Sequence, residues 1–182
     1  MAIMEIWRLL LWFALSFLVL RRIRRSRIKR KRAVSVISVV LILCLVSLTA
    51  VFPVENLFVH FETPESAFRY ASSGTVVNTI PGSDSCLVVY STDSSTYRET
   101  IFPMTEQGYQ LPNFYGVKTV FAGEAEGGSH VVLQYSGSND RYACWVLYSP
   151  GVSAEAVGYS DSAFTIPAGD GKTTLYYTLL SP

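Results

Sequence analysis

The sequence predicts a membrane-anchored, mainly β protein: an N-terminal transmembrane helix hairpin, then one short helix and an antiparallel β-sandwich or curled-sheet domain. Three observations carry this expectation. The stretch from Ala33 to Phe52 is twenty residues long without a charge. A run of nine basic residues in twelve positions precedes it. After Pro53 the composition turns to Ser, Thr, Gly, Tyr and Val, and all eleven tyrosines lie there.

Residues 1–20 are read as a first span and 33–52 as the second. Twenty helical residues at about 1.5 Å each cover roughly 30 Å, the thickness of bilayer hydrocarbon. The first stretch is flawed by Glu5 and Arg8, which stand three apart on a helix and can pair. The competing readings are an amphipathic surface segment for the first stretch and a cleaved signal peptide for the second. Against the signal peptide, Leu48 stands where a cleavage site wants a small residue, and the apolar core is long for an h-region.

Residues 21–32 form a basic loop made of Arg21, Arg22, Arg24, Arg25, Arg27, Lys29, Arg30, Lys31 and Arg32. Basic residues in short loops stay on the cytoplasmic side, so both termini are expected outside a plasma membrane. The same loop is expected to sit against anionic lipid headgroups, each nearby base contributing about 1 kcal/mol. A nucleic-acid partner is not expected. The cluster has no interleaved aromatic residues and is wedged between two apolar stretches.

From Pro53 onward the chain has five basic residues against thirteen acids, a net of −8, so its charge is polarised along its length. Residues 53–62 read as a juxtamembrane connector and 63–182 as an extracytoplasmic β-rich domain. Thr63-Pro64-Glu65 has the form of a helix start, and Gly74 a stop, giving one short helix over 64–72 that packs through Ala67, Phe68 and Ala71. Beyond it, short runs rich in β-branched and aromatic residues alternate with turn clusters, the pattern of eight to ten antiparallel strands. Cys86–Tyr90, Val131–Tyr135 and Cys144–Tyr148 are apolar on both faces and are expected to be central strands. The six residues from Cys86 echo the six from Cys144, and the echo predicts a duplicated unit presenting equivalent faces to one core.

Chemistry-bearing residues are few. Cys44 lies in the second apolar stretch, while Cys86 and Cys144 are either two buried thiols or a disulfide, worth about 2–4 kcal/mol if the geometry allows. His60 and His130 have no metal-ligand spacing, and no cofactor motif occurs. Tyr97, Tyr109, Tyr115, Tyr142 and Tyr159 are candidates for a stacking surface facing a glycan or protein. The acidic turn Gly123–Gly128 reads as a solvated hairpin tip. The expected function is a non-enzymatic, membrane-tethered interaction module binding an extracytoplasmic protein or cell-envelope component. One alternative is an accessory subunit of a transporter or signalling complex acting through its helix hairpin. The other is an envelope hydrolase using Cys144 or a serine with His130.

Overall fold

The computed structural model describes residues 3–25, 31–93, 96–125, 127–148, 164–168 and 172–180. Helix α1 (Ile3–Arg25) and helix α2 (Lys31–Val51) pack against each other. Polar hydroxyls within α2 are turned back onto its own carbonyls: Ser47 Oγ donates to Leu43 O at 3.0 Å and Thr49 Oγ1 to Val46 O at 2.9 Å.

Among the described residues no helix is long and apolar enough to cross a membrane, which corrects the expected transmembrane hairpin. In α1 the apolar run is broken by Arg8, and the helix continues into Arg21, Arg22 and Arg25.

A single 3₁₀ turn, Val54–Leu57, leads to helix α3, Pro64–Ala71. The start of α3 is chemically specified. Thr63 Oγ1 accepts from Ser66 N at 3.2 Å, Ser66 Oγ accepts from Thr63 N at 3.4 Å, and Pro64 occupies a position whose N–H would have no partner. Glu65 in the first turn and Arg69 in the last complement the helix dipole. The helix ends one residue earlier than expected. Its buried face is Ala67 and Phe68, with Ala71 packed alongside.

Nine strands follow among the described residues, in two antiparallel sheets. The first sheet has the order β1 (Thr75–Pro81), β2 (Ser85–Ser91), β3 (Tyr97–Thr105), β4 (Gly108–Tyr109). In the second, β5 (Val117–Ala125), β6 (Gly128–Tyr135) and β7 (Arg141–Leu147) are followed by β9 (Thr174–Leu180) and then β8 (Phe164–Pro167) at the edge. The three runs apolar on both faces are β2, β6 and β7, and each is an interior strand of its sheet, where both faces need cover.

The sheets meet through one core. Leu87, Val89 and Ile101 of the first sheet pack against Leu133, Tyr142, Cys144, Ile166 and Tyr177 of the second. Because side chains alternate along a strand, Val88 and Phe102 point to the other face of the first sheet, where Ala67 and Phe68 of α3 and Leu111 cover them. The layers are therefore helix, sheet, sheet. On the far face of the second sheet Ala143, Trp145 and Leu147 form a third apolar group with Tyr176 and Leu180.

The same alternation disposes of the internal duplication. In β2 the odd positions, Leu87 and Val89, face the shared core, and Cys86 points away. In β7 the even positions, Tyr142 and Cys144, face it. The echoed cysteines thus lie on inequivalent faces, and the two strands belong to sheets of four and five strands. The resemblance is between two interior strands and carries no common geometry.

Candidate functional site

Two polar constellations stand out. One joins the two sheets, and the other joins the helix pair to the β domain.

The first is built on Asp140, which lies just before β7 and is buried. It comes to the turn between β1 and β2. Its Oδ1 accepts from Ser83 N at 2.9 Å and Ser83 Oγ at 2.7 Å, and its Oδ2 accepts from Asp84 N at 3.0 Å and Ser85 Oγ at 2.8 Å. A hydroxyl has one proton to give, so Ser85 Oγ, donating to Asp140, accepts from Tyr142 OH at 3.0 Å. Ser138 Oγ donates to Asp84 Oδ1 and accepts from Asp140 N at 2.9 Å, returning the chain of bonds to its own turn. Gly82 makes the approach possible, since a Cβ there would run into the Asp140 carboxylate.

Burial alone would raise the Asp140 pKa. The two backbone N–H groups and two hydroxyls aimed at its oxygens outweigh it and hold the carboxyl well below the usual range. A carboxylate with four donors already in place has no coordination to offer a metal, nor is it free to accept a proton at neutral pH. The arrangement is a clasp between hairpin turns.

The second constellation begins with Arg8 of α1. Its Nε donates to Glu55 Oε1 at 2.6 Å and its Nη2 to Glu55 Oε2 at 2.7 Å, a two-point ion pair in which both side chains are mostly buried. Arg8 therefore pairs across the chain with the 3₁₀ turn, while the side chain of Glu5, its expected local partner, lies outside the described residues. Burial raises the Glu55 pKa, but the Arg8 hydrogen bonds and charge, with a backbone N–H, bring it below the ordinary carboxylate value. Next to Glu55, Asn56 clamps a backbone. Its Nδ2 donates to Leu111 O at 2.9 Å and its Oδ1 accepts from Leu111 N at 2.8 Å. Phe114 N donates to Val51 O at 3.1 Å, tying the same loop to the end of α2. Phe61 and Tyr109 exchange backbone bonds at 3.0 and 2.7 Å, and Gly108, at φ +122°, leaves room for the Phe61 carbonyl. Two clefts flank Arg8. One, about 200 Å³, is lined by Leu11, Trp12, Val54, Phe58 and Tyr70, and the other, about 220 Å³, by Val51, Pro53, Leu111, Pro112 and Phe114.

The structure scatters the tyrosines expected to form a surface. Tyr142 is fully buried between the sheets and Tyr97 packs against the same core. Tyr109 packs under α3, Tyr115 is exposed in the loop before β5 against the edge of Phe114, and Tyr159 lies outside the described residues. The four described tyrosines share no platform, because Tyr97 and Tyr142 face the inter-sheet core, Tyr109 the helix side of the first sheet and Tyr115 the solvent.

The thiols are separate as well. Cys86 and Cys144 are free, since one faces α3 and the other the inter-sheet core. Burial pushes Cys86 up to about 12, with the Glu65 carboxylate adding to the rise and a backbone hydrogen bond opposing it. Burial, then the Glu99 charge, pushes Cys144 up also. An alkylating reagent at neutral pH should modify Cys44, which is exposed, and reach the other two only on unfolding; mass spectrometry of the reagent-treated native protein checks this.

His130 and Cys144 do not meet. His130 lies on the far face of the second sheet, sandwiched between Phe121 at 4.7 Å and Trp145 at 4.1 Å, with its Nδ1 buried and without a hydrogen-bond partner. Cys144 points to the opposite face. The Cys–His dyad considered from sequence is therefore not assembled.

Of the basic cluster, Arg21, Arg22, Arg24 and Arg25 continue α1 and Lys31 and Arg32 open α2, while Arg27, Lys29 and Arg30 lie outside the described residues. Arg21, Arg22 and Arg25 are exposed. The acidic turn is the β5–β6 hairpin, with Glu124 exposed and Glu126 outside the described residues. No family model matches this chain, and neither a curated protein nor a solved structure resembles it significantly.

Proposed function

We propose that this chain is a non-enzymatic interaction module, associated with an anionic lipid bilayer through its helix pair and basic segment. Its acidic β domain is offered to a protein or cell-envelope component on the extracytoplasmic side. The observation that carries this reading is the distribution of apolar surface. The β domain buries its own core residues, whereas Leu10, Phe13 and Leu18 of α1 and Val36, Leu41 and Leu43 of α2 stand uncovered. An uncovered apolar surface of this extent marks a partner that is itself apolar. The basic residues at the end of α1 favour one with negative charge at its edge.

Flotation of the full chain with phospholipid vesicles tests the reading. The chain is expected to rise with vesicles containing phosphatidylglycerol. Replacing Arg21, Arg22 and Arg25 together by Gln removes about 3 kcal/mol of headgroup attraction, roughly a hundredfold in partition. A chain that stays in the aqueous layer with every vesicle composition overturns it.

A further inference from the structure

Among the described residues, the end of the β domain nearest the helices carries that domain's most exposed large apolar side chains. Leu57 is 74% exposed and Phe58 83%, both at the close of the 3₁₀ turn; Phe114 is 75% and Tyr115 68% exposed, on the loop before β5. These four come from segments more than fifty residues apart, yet the Asn56–Leu111 clamp and the Phe114–Val51 bond hold both segments against the end of α2. Phe58 lines one of the two clefts beside Arg8 and Phe114 the other. None of the four carries a charge.

Leaving such side chains in water forgoes the free energy of burying them. The clamps that hold them outward are specific hydrogen bonds and an ion pair.

We infer that these residues form a collar that seats in the hydrocarbon edge of a lipid bilayer, with acyl chains entering the clefts beside Arg8. The inference rests on the lipid-associated reading above and adds the surface by which the β domain itself meets the lipid. The collar is continuous with the uncovered apolar faces of α1 and α2, since Leu11 and Trp12 share one cleft with Phe58 and Val51 shares the other with Phe114. Aromatic rings with a polar neighbour suit the level of the headgroups, and the Tyr115 ring standing edge-on to Phe114 at 5.0 Å is such a pair. Glu55 does not oppose lipid contact, because Arg8 neutralises it within the collar. With the collar seated, the clamps fix the tilt of the two sheets relative to the bilayer.

The test places a fluorophore at the collar of the full chain in a Cys44→Ser background, where the two remaining thiols are buried. Phe114→Cys carries an environment-sensitive label, and Glu124→Cys, at the far end of β5, carries the same label as control. Both variants are bound to phosphatidylcholine–phosphatidylglycerol vesicles with and without nitroxide-bearing lipid. Quenching of several-fold at position 114, with little at 124, is expected. Flotation of the chain together with equal, weak quenching at both positions overturns the collar while leaving the functional reading intact. Self-quenching between copies labelled at 114 that vanishes on dilution into lipid assigns the surface to a second copy, and overturns it too. Failure to float removes both.

Discussion

Asp140→Ala should lower the unfolding free energy by about 3 kcal/mol, because it removes the acceptor of four donors at once, Ser85 Oγ buried and the other three part-buried. The donors are the N–H groups of Ser83 and Asp84 and the hydroxyls of Ser83 and Ser85, all within 3.0 Å of the carboxylate. Asp140→Asn separates charge from shape. The amide retains one acceptor but turns donors toward donors, so part of the loss should remain. The effect is also pH-dependent. The folded-state pKa lies below the ordinary Asp value, so the carboxylate's contribution is fully present at neutral pH. It is lost as the pH falls below about 5, since the unfolded chain takes up the proton first. Urea unfolding at neutral and acid pH measures both. The parent should lose stability steeply below pH 5, and the Asn variant should start lower and fall less. Equal stability of all three proteins at neutral pH would mean that the sheets are held by their apolar core alone.

Phe68→Ala is the other large effect, at about 3–5 kcal/mol. Phe68 is the side chain through which α3 covers the first sheet. Its ring lies 4.6 Å from Tyr90 and 6.5 Å, edge-on, from Phe102, and almost none of it is accessible. Truncation leaves a cavity bounded by strands on one side, which cannot collapse, and by an eight-residue helix on the other, which can lift away. Hydrogen exchange should show whether it lifts. The amides of α3 are expected to lose protection before those of β2 and β3, because a helix this short has little stability apart from its packing. Loss of protection in all three together would make the helix part of the sheet's own cooperative unit.

The strands were legible in the sequence wherever one physical rule governs a residue locally. Interior strands announce themselves by apolar residues on both faces, as Cys86–Tyr90 and Cys144–Tyr148 do, and Thr63-Pro64 announces a helix start. What failed were inferences that needed a partner. The Cys86–Cys144 echo said nothing of which face each strand turns inward, since that depends on its neighbours. Arg8 could be matched in sequence only with a near neighbour on its own helix, and Glu55, which it meets in the structure, lies forty-seven positions on. The hairpin was expected to span on the strength of its apolar length, and among the described residues no helix is long and apolar enough to cross a membrane.

The Asp140 clasp left a faint trace. Ser83-Asp84-Ser85 and Ser138-Asn139-Asp140 are two turns with the same hydroxyl and carboxyl inventory. Each reads by itself as a solvated turn. Only the sandwich brings the two together and takes Ser85, Ser138 and Asp140 out of water. Tyrosine presented the converse problem. Tyr142 and Tyr115 look equivalent in sequence, yet one is fully buried beside Ser85 and the other stands at the rim of the collar.

The most direct measurement is the partition of the full chain onto vesicles as the fraction of phosphatidylglycerol and the salt concentration are varied together. Binding should persist on neutral lipid through the apolar helix faces and strengthen with anionic lipid. That increment should disappear as salt shortens the screening length from about 10 Å to about 3 Å. A chain that remains in the aqueous phase at every composition and salt concentration contradicts the account.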